Sequence, residues 1–152
     1  MIKLGQTATD TITGFQGIVL SRTLFLHGCC RVRIQPEGLT GDGKPKDDAV
    51  FDELALKENT SERGPIPEIL GQIVIDTVSG IEGTCIGYTE YLHNQPRVGI
   101  QKRGADDKGT PFESFSVDLA QVKWNLSAAA QPEKRKGGPG KTCDPPKMNS
   151  RD

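Results

Sequence analysis

Aromatic side chains are scarce: one tryptophan, two tyrosines and five phenylalanines among 152 residues. With 34% hydrophobic residues and a mean hydropathy of −0.47, the composition favours two thin cores over one thick one. No apolar run approaches the ~18 residues that a spanning helix needs, so the chain is expected not to enter a membrane. Met1–Gly17 is too polar for the apolar centre of a secretory leader, and secretion is not expected either. Four cysteines, at positions 29, 30, 85 and 143, make no C-x-x-C and no disulfide framework, which points to a reducing compartment. Neither do they combine with the two histidines in zinc spacing, so no metal or other cofactor is expected. The net charge of −1 predicts no general attraction to nucleic acid or to a lipid surface.

Against these shortages stands an internal repeat. The stretch LGQTATDTITGFQGIVLSRTLFLHGCCRVRIQ, from Leu4 to Gln35, returns from Leu70 to Gln101 as LGQIVIDTVSGIEGTCIGYTEYLHNQPRVGIQ. The offset is a constant 66 residues without a gap, and 14 of 32 positions are identical. Such self-similarity divides the chain into residues 1–57, a polar linker at 58–68, residues 69–124 and a tail at 125–152. A unit of this size buries only about 60% of its unfolded surface and is marginal alone. The copies are therefore expected to pack on each other or on further subunits.

Within each copy, apolar residues alternate with polar ones and turn residues recur at close intervals, which is the pattern of short strands. Strands are expected at Gln6–Ile12, Ile18–Phe25 and Cys30–Gln35, with a short one at Val50–Asp52 running into Leu54–Leu56, and again 66 residues later. Val19, Ser21, Thr23 and Phe25 are expected to share one face. Gly14 and Gly17, repeated as Gly80 and Gly83, suit a tight turn that needs positive φ and close backbone approach. Five short, strongly bent strands in about 55 residues point to an all-β chain of two tandem SH3-like barrels, followed by an extended tail.

The pattern LGQ-x3-DT-x-[TS]-G-[FI]-x-G, followed by LH, a strand, a Gly/Asp loop and the close FDEL, resembles a family of small tailed-bacteriophage and prophage proteins. Those proteins usually carry a single copy. The resemblance covers residues 3–56 and 69–122 and leaves out the tail. It implies a phage origin and a compact β fold, with no settled activity and no catalytic residue to carry over. The second copy departs at its close, where Val117, Asp118 and Leu119 replace Phe51, Asp52 and Glu53.

Each copy has one histidine at the same place, His27 and His93, with Arg31 and Arg97 four residues on. A His–Arg edge suits a small phosphate or carboxylate ligand, while the plainer reading makes both histidines inherited turn residues. Asp10 and Asp76, each before a threonine, lack a neighbouring nucleophile or oriented base and are read as caps of turn amides. No enzyme activity is expected. Arg22, Arg31 and Arg33 make a candidate basic stripe, but only Arg31 survives duplication, as Arg97. The shortage of aromatics also argues against a stacking platform for nucleic acid.

The tail, from Asn125, holds six basic and three acidic residues, a net +3; the other 13 basic and 17 acidic residues leave the body at −4. Lys134, Arg135, Lys136 and Lys141 would dock such an arm on a neighbouring acidic surface. Two readings follow. In the first, the chain is a virion-associated head-decoration or tail subunit whose partners are phage structural proteins or further copies of itself. In the second, it works in the host cytoplasm, sequestering a small anionic nucleotide signal or blocking a host protein.

Overall fold

The computed structural model describes residues 1–60 and 64–124. The basic tail, with Lys134, Arg135, Lys136 and Lys141, lies outside the described residues. The described chain forms nine strands: β1 (Thr7–Thr9), β2 (Gln16–Phe25), β3 (Arg31–Gln35), β4 (Ala49–Asp52), β5 (Ile73–Asp76), β6 (Glu82–Tyr91), β7 (Arg97–Gln101), β8 (Phe115–Asp118) and β9 (Val122–Trp124). The all-β expectation holds. Where Leu54–Leu56 and Ala120–Val122 were expected to continue as strand, short 3-10 turns intervene at Glu53–Ala55 and Leu119–Gln121.

Each copy follows the same path. β1, β2, β3 and β4 pair consecutively and antiparallel, as do β5, β6, β7 and β8. After its 3-10 turn the second copy returns to its own first strand, with Val74 opposite Trp124 in β9. The first copy returns more briefly, through the bridge between Asp10 and Leu56. There the Glu58 carboxylate completes the closure, accepting from the Thr9 N–H at 2.7 Å and from the Thr9 hydroxyl. Glu58 stands where the second copy has Trp124.

The copies are not separate bodies tied only by the linker, because β2 pairs with β6 in one continuous antiparallel sheet. Each long strand serves two neighbours. The first part of β2 pairs with β1 and its last five residues pair with β6. Unpaired, those five residues would be an open edge with unsatisfied amides. Each copy closes the edge of the other. A fragment of residues 1–60 is accordingly expected to melt at a lower temperature than the whole chain. Equal midpoints in calorimetry would mean that the seam contributes nothing.

Two core clusters sit on either side of the seam. Ile2, Ala8, Val19, Val32, Ile34 and Leu56 form the first, with Leu4, Phe15 and Phe51 against it. Ile69, Val74, Cys85, Val98 and Ile100 form the second, covered by Tyr88, Leu119 and Trp124 among others. Cys85 takes the place of Val19, as a small core hydrophobe should, and burial pushes its thiol up to about 11. Cys29, Cys30 and Cys85 form no disulfide.

The expectation for β2 fails at one point. A register shift lies between Val19 and Ser21, and its counterpart between Cys85 and Gly87. One extra residue, Leu20 or Ile86, reverses which side chains face the core. Val19 points inward, but Ser21, Thr23 and Phe25 lie on the opposite face. Arg22 turns inward instead and is 6% exposed. The bulge is invisible in a period-two reading.

The turns after β1 and β5 are held as expected. The Asp10 carboxylate accepts from the Thr13 N–H at 2.8 Å and from the Thr13 hydroxyl. The Asp76 carboxylate accepts from the N–H groups of Val78 and Ser79, the Ser79 hydroxyl and the Gln121 amide. Hydrogen bonds to Thr13 and Ser79, the largest influences, draw both carboxyls below the ordinary aspartate value. Groups whose folded value is depressed stabilise fully above the unfolded value and lose that contribution as pH falls through the folded one. Stability should therefore drop below about pH 4. In urea titrations across that range, Asp10→Asn with Asp76→Asn should flatten the dependence. An unchanged acid slope would remove these carboxylates as its source.

Candidate interaction face

Pairing registers place six residues in one line across the sheet. Asp52 lies opposite Arg31, Arg31 opposite Thr23, and Thr23 opposite Thr89. Thr89 in turn lies opposite Arg97, and Arg97 opposite Asp118. Directly opposed residues share a face, so Asp52, Arg31, Thr23, Thr89, Arg97 and Asp118 form a row over six strands. At the usual strand spacing it is about 24 Å long. It reads the same from either end, because Thr23 and Thr89 are equivalent positions and a pseudo-two-fold axis passes between them.

Contacts along the row repeat that symmetry. The hydroxyls of Thr23 and Thr89 hydrogen-bond at 2.9 Å. Arg31 Nε lies 3.3 Å from Asp52, and Arg97 Nε lies 3.5 Å from Asp118. Both ion pairs are about half exposed and belong to the class that contributes at most about 1 kcal/mol. Their effect is to hold two guanidinium groups in place on an open surface. The same face carries Phe25, opposite Gly87, and Tyr91, opposite Ser21. It also carries Arg33, paired with Asp48 at 3.2 Å. Shallow depressions flank the ends of the row. One, of about 410 Å³, includes Arg31 and Asp52 with the exposed Ile12 and Val50; the other, of about 400 Å³, includes Arg97 and Asp118 with Tyr91, Asn94 and Gln95.

The structure brings Arg31 and Arg97 together on one face but does not bring in their histidines. His27 and His93 are exposed in the turns after β2 and β6, and neither lines either of these two depressions. Arg22 is removed from the proposed basic stripe because the bulge sends it to the other face. There Arg22 Nε and a terminal nitrogen each meet a Glu53 carboxylate oxygen at 3.0 Å, and the Ile2 N–H donates to the same carboxylate. Burial by itself would raise the Glu53 carboxyl. The Arg22 hydrogen bonds, the Ile2 N–H and the Arg22 charge outweigh it and hold the group below its ordinary value.

Sequence reading missed the threonine row and the role of Asp52 and Asp118. The signal was there: Thr23, Arg31 and Asp52 all recur 66 residues later. What was lacking was the seam that sets the two sets end to end. Among the described residues, no three His, Cys, Asp or Glu side chains are grouped to hold a metal ion, and no helix is long and apolar enough to cross a membrane. Comparisons with protein-family models, characterised proteins and solved structures return no match.

Proposed function

We propose that this chain is a non-enzymatic interaction protein of a phage particle, docking as a head-decoration or tail accessory subunit through its six-stranded face. The observation that carries this reading is the palindromic row, an ordered array of charge and hydroxyl groups on an open sheet surface. Ladder hydrogen bonds fix its geometry, so little ordering entropy is lost on contact. Phe25 and Tyr91 supply the aromatic contact that protein interfaces favour near their centre. The motif likeness to tailed-phage proteins supports the particle as the setting. Each repeat is read as an SH3-like barrel, on the bent five-strand path with a 3-10 turn before the last return. The tail, with Lys134, Arg135, Lys136 and Lys141, serves as a second attachment.

Quantitative mass spectrometry of purified particles tests this reading. The chain should be present in many copies, and Arg31→Glu with Arg97→Glu should reduce its incorporation at least tenfold while leaving the fold intact. Absence from particles would overturn the setting. The intracellular reading draws on the same two arginines, which could bind a small anionic nucleotide. Both, however, already face a carboxylate. Calorimetric titration with nucleotides that showed binding lost in Arg31→Ala and Arg97→Ala would favour it.

A further inference from the structure

The β2–β6 seam is reciprocal in its register, in the hydrogen bonds at its ends and in its leucine–glycine contacts. Leu26 N–H donates to the Ile86 carbonyl at 2.8 Å, and its equivalent, Leu92 N–H, donates to the Leu20 carbonyl at 2.9 Å. The two acceptors are the bulge residues. Leu26 packs over Gly71 and Leu92 over Gly5; a Cβ on either glycine would come within 3.3 Å of the leucine Cδ1. This is the geometry of an isologous dimer contact, realised inside one chain.

The facing residues are nonetheless matched across the two copies. Arg22 lies opposite Glu90, Leu24 opposite Tyr88, and Phe25 opposite Gly87, where the absent side chain leaves room for the ring. Pairing β2 with another β2 would set Arg22 against Leu24 at both ends. Pairing β6 with another β6 would set Glu90 against Tyr88. The seam thus favours the unlike copy, and its chemistry does not register which chain supplies that copy. Both core clusters lie wholly within their own copy, so parting the seam opens neither.

We infer that the seam is also an assembly interface, through which two chains exchange partners. β2 of one chain pairs with β6 of a second, and β6 of the first with β2 of the second. The closed dimer that results contains only contacts already present in the single chain. It carries two six-stranded faces where the single chain has one, which strengthens attachment to any repeated surface by avidity. A short linker gives intramolecular closure an effective concentration of order millimolar, so exchange emerges where chains are crowded or closure is blocked.

The test uses two full-length variants. Seam pairs alternate between hydrogen-bonded and open, and the bonds at Leu20 and Leu26 make Leu24 and Glu90 members of bonded pairs. Leu24→Pro removes a donor from the β2 side of the seam, and Glu90→Pro removes one from the β6 side. Neither amide serves the ladder on the other side of its strand. Each variant alone should sediment as a monomer. Mixed at about 100 µM, well under the effective concentration of closure, they should give a species of twice the chain mass holding one of each. A mixture that stays monomeric, or that forms like pairs as readily, overturns the inference. Should circular dichroism show either variant unfolded, isotopically labelled and unlabelled wild-type chains refolded together at high concentration replace them. Mixed dimers in native mass spectra then support exchange, and monomers alone overturn it. No particle is involved, so failure here leaves the docking-face reading standing, and absence from particles leaves exchange standing.

Discussion

Gly17→Ala should cost about 3 kcal/mol or more, enough to unfold the first repeat of a marginal domain. The reason is contact and not backbone conformation. Gly17 is buried in β2 opposite the end of β3, and a Cβ there would overlap the Gln35 carbonyl and the Pro36 nitrogen, main-chain atoms that cannot swing aside. The equivalent Gly83 is only a little roomier, with the Gln101 carbonyl oxygen at 2.6 Å and an Ile100 methyl at 2.7 Å. Gly14 and Gly80 differ in kind. Their φ values are 75° and 76°, and nothing lies within 4 Å of a Cβ at either. Gly14→Ala should therefore cost only the about 1–2 kcal/mol of holding an L residue in the left-handed region. Urea denaturation of the two variants should separate them clearly; equal losses would mean that β2 and β3 can move apart at Gly17.

Arg22→Ala should cost about 3–5 kcal/mol, because it strands the Glu53 carboxylate in a buried site without its partner. The chain itself supplies the control. At the equivalent positions the second copy has Tyr88 and Leu119, both packed against its core. Replacing a buried ion pair by well-packed apolar residues is commonly neutral or stabilising by about 1–4 kcal/mol. Against that, the Ile2 N–H would lose its acceptor, at about 1–3 kcal/mol. Arg22→Tyr with Glu53→Leu should thus fall within about 2 kcal/mol of wild type, far better than Arg22→Ala alone. If both variants are equally unstable, the ion pair is not the source of the loss.

Much of the local structure was legible in the sequence. The period-two runs located β2, β3, β6 and β7 to within two residues, and the apolar members of the β3 and β7 alternation, Val32, Ile34, Val98 and Ile100, are all fully buried. Asp10 and Asp76 hold their turns because the donors lie two and three residues away, a range that sequence reasoning covers. Two features escaped. A bulge adds no distinctive residue, so the reversal at Leu20 that buries Arg22 left no mark in the alternation. The seam joins residues 66 apart, and nothing local in Thr23 or Thr89 announces that they meet. The tandem expectation consequently gave two bodies and a linker, where the strands make one sheet. Of the expected site, Arg31 and Arg97 are exposed beside the buried Val32 and Val98, as alternation along a strand requires, and their meeting on one face follows only from the pairing order.

The division of β2 between two neighbours has a consequence in time. Residues 1–57 emerge from the ribosome with their core complete, while the half of β2 that awaits β6 has no partner yet made. The 34 residues from Glu58 to Tyr91 take about 2–7 s to synthesise at ~5–20 residues per second. A local turn such as that at Asp10 closes within microseconds. For those seconds, each nascent chain on a crowded message presents an open strand edge to the completed chains around it.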